Sequence, residues 1–415
     1  MAGKFVVFGE HQRPRCWRFG WQRCLAVVFA SLLGFSAVSV SASETQFRVA
    51  TFNCSLNREE SGQLSRDLAG GTSVQARKVA RILRKIRPDI VLLNEFDFEE
   101  SGTAVRSFLN EYLQATGDWV VEEPLTYEFT VSLPVNTGIP TDQDLDHDGQ
   151  KGGPADAVGF GKFPGQYGML VLSRFPLRQS QVRTFRNLLW KSLPNPMLPL
   201  TSEGGKSWYS AQDLDVLALS SKSHWDLPFV VGSKVVHILA SHPTPPAFDG
   251  AEDRNGRRNH DEIRLWKEYL TTGPNPWIID DAGVSGGLAA EEQFVILGDL
   301  NADPVDGGSV TGAIQQLLKH PRVNAAVIPQ SDGAEEAAKQ QGQANLRQQG
   351  NARHDTADFS DRSVGNLRAD YVLPSSGLMV RDASVFWPLP ESPDFELIDC
   401  SDHRLVWMDL ATGSP

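Results

Sequence analysis

Cysteine is scarce, four in 415 residues, and Cys16 and Cys24 fall in the first forty. So low a count excludes a disulfide-dense scaffold. Beyond an N-terminal apolar stretch, no segment approaches the roughly twenty apolar residues that span a bilayer, which excludes a multi-span bundle. Excess positive charge is also missing, since the formal net charge is −12. That argues against a nonspecific basic binder of nucleic acid, although an acidic protein can still neutralise a few phosphates locally. What is present is an ordinary soluble composition, 40% hydrophobic and 22% charged, with enough apolar material to build a core and too much to stay disordered.

Lys4, Arg13, Arg15, Arg18 and Arg23 precede an apolar run from Cys24 to Val40, and small residues surround Ala42. This pattern predicts a secretory signal peptide over residues 1–42. A single membrane anchor is the alternative, but Ser31, Gly34, Ser36 and Ser39 interrupt the run and no basic stop-transfer flank follows. Five basic residues against one acid there make +4, so the remainder of the −12 chain carries −16. The expectation is a secreted or periplasmic protein with no stable membrane anchor after cleavage. No protein partner is evident.

Short runs rich in Val, Ile and Leu recur: Ile90 to Leu93, Met169 to Leu172, Val235 to Leu239, Phe294 to Leu297, Tyr371 to Leu373 and Leu405 to Met408. Such runs suit strands buried on both faces. Val79, Ile82, Leu83 and Ile86 follow helical spacing, with Arg77, Arg81, Arg84 and Lys85 read as a solvated face. Further helices are expected over His260 to Leu270 and Ser309 to Leu318. Residues 136–166 and 331–362 read as surface insertions in one domain over 43–415, because neither shows apolar spacing for a core of its own.

Polar residues cluster where these runs end. Asn53 follows Phe47 to Phe52, Glu95 follows Ile90 to Leu93, His242 follows Val235 to Leu239, and Asp299 with Asn301 follows Phe294 to Leu297. Asp370 instead precedes its run, as do Asp402 and His403. If those two strands run antiparallel to their neighbours, all six positions share one edge of a mixed α/β sandwich. Singly, each is more often a turn former or a satisfied structural residue. Together they fit phosphoester hydrolysis: Glu95 for a hard divalent ion, His403 beside a carboxylate for proton transfer, and Asn53, Asn301 and His242 as donors to phosphoryl oxygens.

The segments Val49-Ala-Thr-Phe-Asn53, Pro88-Asp-Ile-Val-Leu-Leu-Asn-Glu95, Gly168-Met-Leu-Val-Leu-Ser-Arg174, Ser241-His242, Gly298-Asp-Leu-Asn301, Ala369-Asp-Tyr-Val372 and Ser401-Asp-His403 resemble the DNase I-like endonuclease/exonuclease/phosphatase superfamily, in its order. The resemblance implies a four-layered α/β/β/α sandwich with two mixed, mostly antiparallel sheets, and metal-dependent cleavage of phosphoesters with Mg2+ or Mn2+. It assigns the metal to Glu95 with Asn53 and Asp402, the orienting of His403 to Asp370, and work on the attacking water or leaving oxygen to Asp299. Which of Asp299 and His403 is the base stays open. Asn94 stands where the family usually has Gln, keeping the amide with a shorter reach.

Four expectations remain. The arginines after the stiff Pro243–Pro246 loop, Arg254, Arg257 and Arg258, are candidate substrate-phosphate contacts, with a solvated basic turn equally open. Asp144, Asp146 and Asp148 before Gly149 are spaced like a calcium loop, but Ala155 stands where the closing acid belongs and Asp156 comes one place late. Cys54 and Cys400 flank site residues and are expected to form a disulfide. The substrate is expected to be a phosphodiester, nucleic acid ahead of a sphingomyelinase-like action on phospholipid head groups or a phosphomonoesterase. A non-catalytic binding module on the same fold is the rival of another class.

Overall fold

The computed structural model describes residues 44–201 and 205–413; the leader expected over 1–42 lies outside them. Among the described residues no helix is long and apolar enough to cross a membrane. Numbered in chain order, the strands are β1 (Gln46–Leu56), β2 (Ile90–Phe96), β3 (Phe129–Val131), β4 (Met169–Ser173), β5 (Arg183–Thr184), β6 (His224–Val231), β7 (Lys234–Ser241), β8 (Gln293–Asp299), β9 (Ala357–Asp358), β10 (Asn366–Leu367), β11 (Asp370–Pro374), β12 (Leu378–Val385) and β13 (Val406–Thr412). One sheet has the order β12-β13-β1-β2-β4-β3 and the other β11-β8-β7-β6-β5, while β9 and β10 form a separate ribbon.

Among the named strands of the described residues, β1–β2 and β7–β8 pair in parallel and the other pairs are antiparallel. Parallel neighbours need a crossover, and each pair has a helix between its strands, Val74–Ile86 and Arg254–Leu270. β11 runs antiparallel to β8 with Asp370 opposite Asp299, and β13 runs antiparallel to β1. The antiparallel condition drawn from the sequence is therefore met.

Successive side chains on a strand face opposite ways, and the apolar positions divide accordingly. Phe47, Val49, Leu92 and Val171 of the first sheet meet Trp225, Leu227, Phe229, Ile238 and Val295 of the second. Ala50, Phe52, Val91 and Leu93 face outward against Val79, Ile82 and Leu83. Leu239, Ile296, Tyr371 and Leu373 do the same against Ile263, Trp266 and Tyr269. Three apolar seams thus separate helix, sheet, sheet and helix, the four layers expected. Trp225 and Trp266 are fully buried, so truncating either to Ala costs about 3–5 kcal/mol.

Several expectations need correction. The helix expected over Ser309 to Leu318 spans only Gln315–Leu318, because Gly312 takes a left-handed φ of 89° just before it. The helix expected from His260 begins at Arg254, so the three arginines lie on it rather than in a loop. Arg84 is no solvated residue: it is 1% exposed and donates to the carbonyls of Tyr112, Ala115 and Glu123. Cys54 and Cys400 are two buried, unbridged thiols, and Cys54 Sγ lies 3.4 Å from the Asn94 carbonyl as a donor. Nor are the two insertions mere surface. The 331–362 stretch carries the helix Asp332–Gln341, whose Ala334 enters the inter-sheet core. The 136–166 stretch packs on the chain just before β6, where a Cβ on Gly159 would meet Ser221 O at 1.9 Å.

Candidate active site

All the polar strand-end residues come together at one end of the sandwich. Parallel pairing sets Asn53 beside Asn94, and β8 pairs with β11 so that Asp299 faces Asp370. Gly298 makes the approach of β8 to β7 possible, since a Cβ there, at φ 157°, would stand 2.1 Å from Ser241 O. Asn94 rivets the sheets. Its Oδ1 accepts from Asp299 N at 3.2 Å, and its Nδ2 donates to Ser241 O at 3.4 Å. The shorter amide therefore reaches both strands that carry Asp299 and His242.

One carboxylate oxygen is the hub. Asn53 Nδ2 donates to Asp299 Oδ2 at 3.1 Å, and His242 Nε2 and His403 Nε2 lie 3.4 and 3.6 Å from the same atom. Asn301 N donates to Asp299 Oδ1 at 2.9 Å, and Asn301 Nδ2 to Pro243 O at 3.1 Å. Behind His403, its Nδ1 lies 2.9 Å from Asp370 Oδ2, which also accepts from Thr356 Oγ1 at 2.8 Å. Ser401 Oγ donates to Asn53 O at 2.7 Å and accepts from His403 N, pinning His403 to β1.

The electrostatics follow from burial among opposite charges. Asp299, Asp370, His242 and His403 are each at most 5% exposed. Burial alone pushes Asp299 toward the neutral acid, but His403, His242 and Asn53 outweigh it and hold the carboxyl well below the usual range. For His403 burial opposes protonation, and the Asp370 and Asp299 carboxylates overcome it and raise the imidazole. Asp370 is raised by burial and then by Asp299. His242 goes down, through burial first and then Lys222. The surroundings thus favour the ionised form of Asp299 and the protonated form of His403.

Glu95 differs from these. Its backbone is left-handed at φ 60°, which costs a non-Gly residue about 1–3 kcal/mol and concentrates at functional sites. Its carboxylate has no hydrogen-bond partner among the described residues. Asp402 is exposed, with Ser55 Oγ donating to it at 3.4 Å. Glu95, Asp402 and the Asn53 side-chain oxygen offer only oxygen donors, the chemistry a hard divalent cation takes. Asp299, Asp370 and His403 also bring one ligand atom each within 4.8 Å of the others, but these three are already paired among themselves.

Residues 50–403 match the model of the Endonuclease/Exonuclease/phosphatase family. The chain belongs to that family. Of solved structures, an endonuclease/exonuclease/phosphatase from Beutenbergia cavernae is 19% identical over 89% of this chain and 72% of its own, with TM-score 0.48. Sphingomyelinase C from Streptomyces griseocarneus is 14% identical over 88% and 99%, with TM-score 0.44. TDP2 from Caenorhabditis elegans is 14% identical over 88% and 74%, with TM-score 0.38. No curated protein matches. Members of this family are typically hydrolases of phosphoesters that use a divalent metal.

The remaining candidates fare unevenly. Arg258 is 8% exposed and donates to the Leu219, Ala218 and Val158 carbonyls, so it cannot also reach a substrate. Arg254 pairs with Glu252, and Arg257 is partly buried. In the acidic loop Asp144 and Asp146 meet Asp156, not Asp148, within 4.8 Å; Asp148 instead accepts from Gln150 N at 2.7 Å. Several residues that shape the site escaped the sequence reading. Glu262 accepts from Ser221 N and Thr244 N, each at 2.6 Å, tying together the chain on both sides of His242. Tyr167, raised by burial and then by Glu95, and Lys222 were also missed. The helical spacing of Glu262 with Asn259 and Trp266 was the available signal for the first of these.

Proposed function

We propose that the protein is an exported, metal-dependent phosphoester hydrolase acting on phosphodiesters, with nucleic acid ahead of phospholipid head groups and small phosphomonoesters. One observation carries this reading: a buried Asp299 meets Asn53, His242 and His403 at a single oxygen, with Glu95 unpaired among the described residues. Asp299 orients the attacking water and accepts its proton. His403, held protonated by Asp370, donates through Nε2 to the leaving oxygen. Asn53, Asn301 and His242 lend N–H donors to charge growing on the phosphoryl oxygens. Glu95, with Asn53 and Asp402, would hold the divalent ion, which supplies positive charge against the phosphate when bound.

A retained fold without catalysis has little support, since Glu95, Asp299, Asp370 and His403 are all in place. The test is a panel of plasmid DNA, RNA, sphingomyelin and p-nitrophenyl phosphates assayed with Mg2+, Mn2+ or Ca2+. Cleavage of nucleic acid that stops with EDTA is expected. Turnover of sphingomyelin alone would replace the substrate, and no turnover of anything would return the binding-module reading.

A further inference from the structure

Lys222 lies just upstream of β6. His224 pairs with Ser241, and continuing that antiparallel register places Ser223 opposite His242 and Lys222 opposite Pro243. The local backbone is held on several sides. Asn136 N donates to Lys222 O at 2.9 Å, Gly159 presses on Ser221, and Glu262 accepts from both the amide and the hydroxyl of Ser221, at 2.6 and 3.0 Å. Lys222 is 7% exposed. Its register position opposite Pro243 sets it beside the site just described, where its amine acts electrostatically on His242 and is acted on by Glu262, Glu95 and Asp299.

Two other buried cations show how this protein satisfies positive charge that serves only the fold. Arg84 and Arg258 each donate to three backbone carbonyls. Among the described residues the Lys222 amine has neither a hydrogen bond nor a carboxylate within 4.0 Å. A desolvated ammonium is costly unless an anion or acceptor joins it. Asn53 Nδ2 and Asn301 Nδ2 rest on Asp299 and on Pro243 O, so each must leave a protein partner to reach a phosphate oxygen, which the Lys222 amine need not do.

We propose that Lys222 is a substrate-phosphate residue, its ammonium contacting a non-bridging oxygen of the phosphate taken by the Glu95 and Asp299 site. The inference rests on the phosphoester reading above. It gives the site a charged donor on the His242 side, and of the three candidate arginines Arg254 and Arg258 are already engaged by the protein.

Inorganic phosphate is the probe. Its affinity in the presence of Mg2+ is measured by calorimetry for the wild type, Lys222→Met, Lys222→Gln and Lys222→Arg, together with kcat and KM on the substrate found by the panel. Phosphate affinity is expected to fall at least tenfold in the Met and Gln variants and to be largely restored in the Arg variant, with melting temperatures within a few degrees of wild type. Unchanged phosphate affinity in the Met or Gln variant overturns the proposal. Unfolding of all three variants also overturns it, by making the lysine a structural group. A protein that hydrolyses no phosphoester yet loses phosphate affinity with Lys222 would refute the proposed function and leave this inference standing.

Discussion

At Asp299 and His403 the chemistry depends on contacts of under 4 Å, and both residues could be named from sequence because polar groups at the ends of apolar runs have few structural uses in such number. His403 is predicted to matter for turnover and not for folding. His403→Ala should cut kcat by a factor on the order of 100 or more with an unchanged circular dichroism spectrum, and Asp370→Asn should mimic it in part; an unfolded His403→Ala protein would make the histidine structural. Lys222 and Arg258 were illegible or misread for one reason: burial and carbonyl partners decide what a cation does, and neither shows in the residue type. A second prediction concerns Asp355, 7% exposed and facing Asp303 and Asp306, its carboxyl pushed up to about 8 by burial and then by those acids. The folded protein keeps this proton where the unfolded chain has released it, so stability falls as pH rises from about 4 toward 8. Asp355→Asn removes that loss. Its melting temperature should match wild type near pH 4 and exceed it by a few degrees near pH 8, and a difference that did not grow with pH would contradict this.

Elements carry these residues into register. Strands buried on both faces were legible because their apolar runs are continuous. β6 was not, since His224, Asp226 and Pro228 break up Trp225, Leu227 and Phe229, a period-2 pattern that a search for runs passes over. Missing β6 also meant missing Lys222 beside it. The helix Arg254–Leu270 was placed too short because its first turn is all polar. Gly298 tests whether strand placement governs the site. Gly298→Ala would drive a Cβ against Ser241 O, so a stability loss on the order of 2 kcal/mol or more is expected, read as a lower urea midpoint at unchanged slope. Equal midpoints would mean that β8 can shift away from β7 without cost.

Over the whole molecule, the four layers follow from three apolar seams, and the mixed sandwich was readable because polar residues end some apolar runs and begin others, which share one edge only if the strands run both ways. The 331–362 insertion was not readable as part of the site. It supplies Thr356 to Asp370 and bridges Ala357 to His403, contacts between residues far apart in sequence. The unbridged Cys54 and Cys400 show the same limit, because neighbouring site residues bring two thiols into one cluster without dictating that they bond. The central claim is that this assembly hydrolyses phosphoesters through a divalent ion held at Glu95. The most direct measurement is the rate on the best substrate of the panel for wild type and Glu95→Gln, each with saturating Mg2+ and with EDTA. The account predicts that EDTA abolishes wild-type turnover and that Glu95→Gln loses at least about 99% of it at unchanged melting temperature. Turnover that survives both EDTA and the substitution would contradict it.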